Sequence, residues 1–209
     1  MIGSLFELKI IKSILTNEVM DIYKTTSPYI GDKVNLRAIE RDDLDDIMKH
    51  WNTYEMRIGL SFVNPMSSMM EAEFIESAHE RAKNGKAYIY AIEDLKTGEF
   101  VGTCGIESIN PVNRSAELGI AIHNPDNHSK EYGTDIMVCL LKIGFNILNL
   151  HRIELLVMDF NVQAIHVYKK TGFKEVGRLR EANYLQGKYN DIIVMDILEK
   201  EFRAMYSSE

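Results

Sequence analysis

A β-α-β unit near the middle of the chain limits what the rest can build. Residues 116–122 alternate as a strand, 124–131 form a polar connection, and a helix begins near Gly133. Ile136, Leu140, Ile143 and Ile147 give that helix one apolar stripe, widened by Met137, Leu141 and Leu148. Residues 151–157 then read as a strand apolar enough to be covered on both faces. Strands at 87–93 and 99–106, closed into a hairpin by 94–98, precede the unit. Strands at 173–176 and 192–198 follow it. One parallel crossover set between antiparallel pairs excludes a doubly wound sheet and predicts an α+β domain.

The other segments fit around this unit. Residues 34–39 alternate as a strand. Residues 42–51 form a helix with Asp42 and Asp43 in its first turn, where carboxylates suit the dipole. A second helix covers 67–82, with Ser68 as cap and Glu71 three residues on, as a capping box requires. Residues 161–170 make a short helix ended by Gly172 at the C′ position. The expected order, β-α-α-β-β-β-α-β-α-β-β, amounts to a mixed, mostly antiparallel sheet of about seven strands flanked by about four helices. Of the 209 residues, 34–203 make this single domain and 204–209 a tail. Residues 1–33 are an N-terminal extension, in which Leu5, Leu8, Ile11 and Leu15 mark an amphipathic helix. Met20 is a second candidate start, and the apolar stripe offers a route to a homo-oligomer.

Charge and cysteine content narrow the partners. With 24 Lys+Arg against 31 Asp+Glu, the net charge is -7. Phosphate backbones need a basic surface, so nucleic acid is not the expected partner, and the balance leans towards a cationic one. Cys104 and Cys139 form no C-x-x-C spacing and have no histidine at ligand distance, so neither a disulfide nor a metal is expected. No apolar run approaches the roughly 18 residues of a membrane span, and the first 15 residues do not read as a signal peptide. These features predict a cytoplasmic protein without a membrane partner.

Two pieces carry chemistry. The first is the turn from Gly119-Ile120-Ala121-Ile122 through Asn127-His128-Ser129-Lys130-Glu131-Tyr132-Gly133-Thr134 into a helix. A helix N-terminus presents unpaired N–H groups and a positive dipole end, which suits a phosphate. Lys130 adds a charge, Ser129 and Thr134 add hydroxyls, and Gly133 lets the backbone approach closely. The loop is neither a Walker A sequence nor G-x-G-x-x-G. The second piece is one face of the helix at Asn161, shared by Asn161, Ala164, Ile165 and Tyr168. An amide at one end of that stripe and a phenol at the other suggest a face that meets a ligand or another backbone.

Together these pieces resemble the GNAT superfamily of acetyl-CoA-dependent N-acetyltransferases, from about Val34 to Phe202. The specific part is Asn161-Val-Gln-Ala164-Ile165-His-Val-Tyr168-Lys169-Lys-Thr-Gly172-Phe173, which looks like the family's Asn-x-x-Ala-x-x-x-Tyr-x-x-x-Gly-Phe. His128 to Gly133 stands in register with its Gln/Arg-x-x-Gly-x-Gly/Ala loop. The run from Phe145 to Ile153, Gly177 to Arg180, and Gly187 to Asp191 resemble its ribosomal-protein N-terminal and spermidine acetyltransferase branches.

The resemblance implies direct acetyl transfer in a ternary complex of acetyl-CoA and a primary amine, either a polyamine or a protein N-terminus. It makes Ile120, Ala121, Ile122, His128, Ser129, Lys130, Glu131, Tyr132, Gly133, Thr134, Asn161, Ala164 and Tyr168 the cofactor contacts. Tyr168 becomes the acid for the departing thiolate and Glu117 the candidate base. The acceptor mouth is expected at 54–62 and 184–189, with Glu55 and Asp191. Two positions depart from the pattern: His128 stands for Gln/Arg, and Glu131 for the first Gly. A carboxylate beside a pyrophosphate site is repulsive. It motivates the alternatives, a catalytically silent sensor on the same fold or a nucleotide binder using the same loop.

Overall fold

The computed structural model describes residues 27–60, 64–128 and 130–206. The N-terminal stripe and Ser129 lie outside the described residues. Seven strands form one sheet in the order β1-β2-β3-β4-β5-β7-β6. They are β1 (Val34–Ala38), β2 (Tyr88–Asp94), β3 (Phe100–Asn110), β4 (Ser115–Ile122), β5 (Arg152–Met158), β6 (Lys174–Leu185) and β7 (Lys188–Leu198). Every neighbouring pair is antiparallel except β4 and β5. The mixed, mostly antiparallel α+β architecture matches the sequence expectation.

The described residues contain six α-helices where about four were expected. They are α1 (Leu44–Trp51), α2 (Tyr54–Leu60), α3 (Ser68–Lys83), α4 (Tyr132–Lys142), α5 (Val162–Lys170) and α6 (Glu199–Tyr206). The additions are α2, too short at 7 residues to show a period, and α6, which follows β7 without a break. The cap of α3 also differs. Ser67 Oγ, not Ser68, accepts the Met70 N–H at 3.2 Å, and Glu71 is buried instead of reaching back to the cap.

Helices cover both faces of the sheet. On one face α4 buries Ile136, Met137, Leu140 and Leu141 against Ile106, Leu118, Ile153 and Met195. The helical stripe does not run on to Ile147 as its spacing suggests. Ile143–Ile147 is a π-helical turn, closed by the Leu148 N–H on the Ile143 carbonyl at 3.0 Å. The wider turn shifts the register, so Phe145 is buried and Ile147 is 49% exposed.

On the other face α1 and α3 place Ile47, Trp51, Ile75 and Ala78 over Ile39 and Ile89. Arg37 locks β1 to this layer, its guanidinium donating to both oxygens of the buried Asp43 at 2.8 and 2.6 Å. Such bidentate pairs are the strong ones.

His123, just past β4, is enclosed on this second face. Its ring stacks on Trp51 at 4.8 Å, meets Phe100 edge-on, and lies 3.3 Å from Thr103 Oγ1. Burial pushes its pKa down from 6.5 to about 4. Between those values the unfolded chain binds a proton that the native state refuses. His123's contribution is therefore complete above pH 6.5 and lost as the pH falls towards 4, about 2 kcal/mol of it by pH 5. Chemical denaturation at pH 7 and pH 5 should show this fall in the native protein and a shallower one in His123→Gln. Equal slopes would contradict the burial argument.

Candidate active site

The site is built where two strands part. β4 and β5 pair only through Ser115–Arg152, Ala116–Ile153 and Glu117–Glu154. Beyond them β4 stays with β3 as far as Ile122, and β5 stays with β7 through Met158. One edge of β4 is thereby left without a strand partner, and backbone groups there need an outside partner.

A cleft of about 190 Å³ occupies this gap. Ile120 and Ile122 come from β4, His128, Glu131 and Gly133 from the turn into α4, and Asn161, Gln163, Ala164, Val167 and Tyr168 from α5 and its cap. Asn161 caps α5, its Oδ1 accepting the Ala164 N–H at 3.1 Å. That bond accounts for an amide on an otherwise apolar stripe. Gly172, at φ +102°, turns the chain out of α5, and its missing Cβ would lie 2.9 Å from Ile197 Cδ1.

The N-terminus of α4 borders the cleft unplugged. Glu131 is its N-cap, in the left-handed region at φ 63° and ψ 13°, and its own side chain makes no capping hydrogen bond. The Glu131 carboxylate turns instead to Lys33 Nζ at 2.6 Å. That hydrogen bond, with the charges of Lys33 and Lys170, holds its pKa below the usual range. Free first-turn N–H groups and the positive dipole end are what a pyrophosphate requires.

The remaining sequence candidates point elsewhere. Lys130 Nζ donates to Asn127 Oδ1 at 2.8 Å. Tyr132 is buried, with its O–H donated to Asp94 Oδ2 at 2.5 Å. Thr134 lines a separate depression beside Lys33, and Ala121 faces the opposite side of β4. Two lining residues escaped the sequence reading. Val167 lies one residue before Tyr168, and Gln163 Nε2 steadies the loop by donating to the His128 carbonyl at 2.8 Å. Tyr168, buried in the cleft wall, has its phenol pushed up to about 12 by burial and is protonated at neutral pH.

A second pocket of about 420 Å³ lies on the other face of β4 and shares Ile120 with the cleft. It is lined by Trp51, Leu60, Met66, Glu71, Phe74, Thr103, Glu107 and Gly119, among others. Glu71 is 2% exposed. Desolvation raises its pKa, opposed by a hydrogen bond from the Trp51 indole.

Across the same sheet face Glu107, Glu117, Glu154 and Asp196 stand directly opposite one another on β3, β4, β5 and β7. At about 4.8 Å per strand this row spans roughly 14 Å. Arg81 pairs with Glu107, and Arg152 with Glu154 and Asp196. Glu117's pKa is raised by desolvation, then by Glu154 and Glu107. The expected acceptor mouth contributes Leu60. Tyr184 and Tyr189 instead meet at a tilt, ring centroids 5.0 Å apart, at the exposed tip of the β6–β7 hairpin, and Asp191 accepts the Glu181 N–H and pairs with Arg178.

Two pockets that meet at one strand residue suit a transfer between two substrates held at once, and relatives of the chain give the class, an acyltransferase drawing on acetyl-CoA. The model of the acetyltransferase (GNAT) domain matches residues 33–174, and the chain belongs to that family. The spermidine N(1)-acetyltransferase of Vibrio cholerae serotype O1 is 31% identical over 173 residues, 83% of this chain and 97% of that protein.

A crystal structure of the Vibrio cholerae spermidine N-acetyltransferase with CoA and spermine superposes with a TM-score of 0.73 at 30% identity. It covers 81% of this chain and 97% of that one. A dodecameric structure of the Vibrio cholerae enzyme in an intermediate state gives 0.68 at 29% identity, covering 84% and 98%. The chain acetylates amines at the expense of acetyl-CoA, and the reading as a catalytically silent module is not favoured.

The acidic row has a cost in stability. A carboxyl whose folded pKa is raised stabilises the fold only below its ordinary range, and that contribution disappears as the pH rises through the folded value. Glu117→Gln should therefore raise Tm by a few degrees at pH 8 and leave it unchanged near pH 4. A lower Tm at pH 8 would mean that the charge is compensated in the fold.

Proposed function

We propose that the acceptor is a polyamine of the spermidine and spermine type, engaged by the carboxylates on the outer face of β4. The observation that carries this reading is the row Glu107–Glu117–Glu154–Asp196, four carboxylates held against two guanidiniums. It leads away from the pocket that meets the cleft at Ile120. Its excess negative charge suits an extended polycation better than a single amine. The buried Glu71 adds a carboxyl at the pocket itself. The substrates named for the Vibrio cholerae enzyme point the same way.

Acetyl-CoA lies in the cleft, its pyrophosphate on the N–H groups of α4 and its arm paired as an added strand with the open edge of Ile120–Ile122, where the Ile122 carbonyl already meets His128 Nε2 at 3.1 Å. One of those β4 N–H groups donates to the oxyanion that develops as the amine attacks. Glu117, made more basic by desolvation and its acidic neighbours, removes the amine proton. The C–N bond forms, the C–S bond breaks, and the departing thiolate takes its proton from the Tyr168 phenol. Buried free cysteines and use of acetyl-CoA suit a cytoplasmic setting.

A panel of spermidine, spermine, monoamines and peptides with free N-termini, followed by thiol release, tests the acceptor. The polyamines should exceed the monoamines by at least about tenfold in kcat/KM, as an extra charge contact implies. Preference for the peptides would replace the polyamine reading with that of a protein N-terminal acetyltransferase. Tyr168→Phe should lower kcat by about 10²-fold or more with CoA affinity unchanged, and an undiminished kcat would remove Tyr168 from the acid role.

We further propose self-association through β6. Its outer edge has no strand partner among the described residues, and Val176 and Leu179 are 54% and 48% exposed. The dodecamer of the Vibrio cholerae enzyme supports a multi-copy assembly. Val176→Lys with Leu179→Lys should reduce the mass measured by light scattering, and an unchanged mass would place the interface elsewhere.

A further inference from the structure

The phosphate loop of this chain contains an acidic residue where an anion must bind, and the fold brings a lysine from far away in sequence to meet it. We propose that Lys33 is a cofactor-positioning residue, which by pairing with Glu131 removes that carboxylate's charge from the phosphate site at the start of α4. The proposal rests on the reading that CoA's phosphates lie at that helix end.

The contact is built into the backbone. Asp135, in the first turn of α4, accepts the N–H of Asp32 on Oδ1 at 3.0 Å. Its Oδ2 accepts those of Lys33 and Val34 at 2.7 and 3.0 Å. Gly31 permits this approach, since a Cβ there would lie 2.3 Å from both Asp135 oxygens. The segment before β1 is thus clamped across the N-terminus of α4. From it the Lys33 ammonium donates to Glu131 Oε2 at 2.6 Å and to the Lys130 carbonyl at 3.1 Å. Lys170 borders the same depression and adds a weaker attraction for Glu131.

Two consequences follow for the loop. Glu131 holds a left-handed conformation that glycine adopts without strain, and the Lys33 bridge engages its carboxylate at Oε2. An unpaired carboxylate at that place would repel a pyrophosphate across a few ångströms. The pair is partly solvated, with side-chain exposures of 42% and 67%, so its influence on a bound anion must weaken with salt. Lys33 acts through Glu131 and not on the reacting atoms.

Calorimetric titration of CoA into the native protein, Lys33→Met, Glu131→Gln and the double variant tests this, at about 0.05 and 0.5 M salt. Lys33→Met should weaken CoA about fivefold at low salt and less at high salt. Glu131→Gln should bind at least as tightly as the native protein, and the double variant should return to within about twofold of it. Lys33→Arg should keep native affinity, and a conformationally intact Lys33→Gln should behave as Lys33→Met does. The KM for acetyl-pantetheine, which lacks the phosphates, should be the same in all of them.

A Lys33→Met protein with native CoA affinity at both salts would overturn the proposal. So would a double variant as weak as Lys33→Met, or an equal loss with acetyl-pantetheine. A native protein that binds acetyl-pantetheine as tightly as acetyl-CoA would instead refute the placement of the phosphates on which the proposal rests.

Discussion

The separation of β4 from β5 is the constraint on which the rest of the structure depends. Three residue pairs hold the two strands in register, after which each follows its antiparallel neighbour. A parallel pair needs a long crossover, here α4 and its π-helical turn. That crossover, together with α5, fills the side of the gap and sets its width. The core pays for the gap once, by leaving the β4 edge unpaired, and the arm of a substrate can supply the missing partner. A sheet continuous through β4 and β5 would offer no such edge.

The same strand also separates the two pockets. Ile120 and Ile122 turn towards the cofactor cleft, while Gly119 and Ala121 turn towards the pocket lined by Trp51, Glu71 and Glu107. Alternation along one strand thus opens two pockets on opposite faces with Ile120 common to both. Tyr168 is held on one side by α5 and its Asn161 cap, and Glu117 on the other by its cross-strand neighbours. Each is fixed by regular structure, which orients side chains more tightly than a loop can.

Most of this organisation was legible because it rests on periodic burial. The strands from Val34 to Ile122, the crossover helix and the Asn161–Phe173 helix all bury one face, and their spacing showed it. The hairpin of β6 and β7 was read as two short strands because alternation marks a strand only where one face is covered. In β6 only Asn183 is buried, so Lys174–Leu185 carries no such signal. The π-helical turn was invisible for a related reason, since a stripe of apolar residues assumes a constant turn and Ile147 is the residue that turn displaces.

In the site, spacing shows that the polar loop runs into α4, while the direction of the Tyr132 side chain depends on Asp94, 38 residues away in sequence. Glu71 was read as a capping residue because local spacing allows that role. Its burial beside Trp51 is a tertiary fact.

Part of the net balance of -7 is gathered on one face of the sheet. The acidic row and Glu71 lie on the side of α1 and α3. The N-terminus of α4, with Lys33 and Lys170 around Glu131, lies on the other. On the proposed reading, a cationic acceptor and the anionic cofactor would be drawn to opposite sides of β4. Asp135, on the α4 side, is engaged by the N–H groups of residues 32–34, and Glu131 is a carboxylate at the helix N-terminus itself. Its pairing with Lys33 leaves the loop's backbone unchanged, and in the proposed binding mode the pyrophosphate would be held by N–H groups that any residue supplies. A family position usually filled by glycine can accordingly carry a charged side chain, provided the fold delivers a counter-charge to the same spot. Here Asp135 makes that delivery by fixing the backbone of residues 32–34.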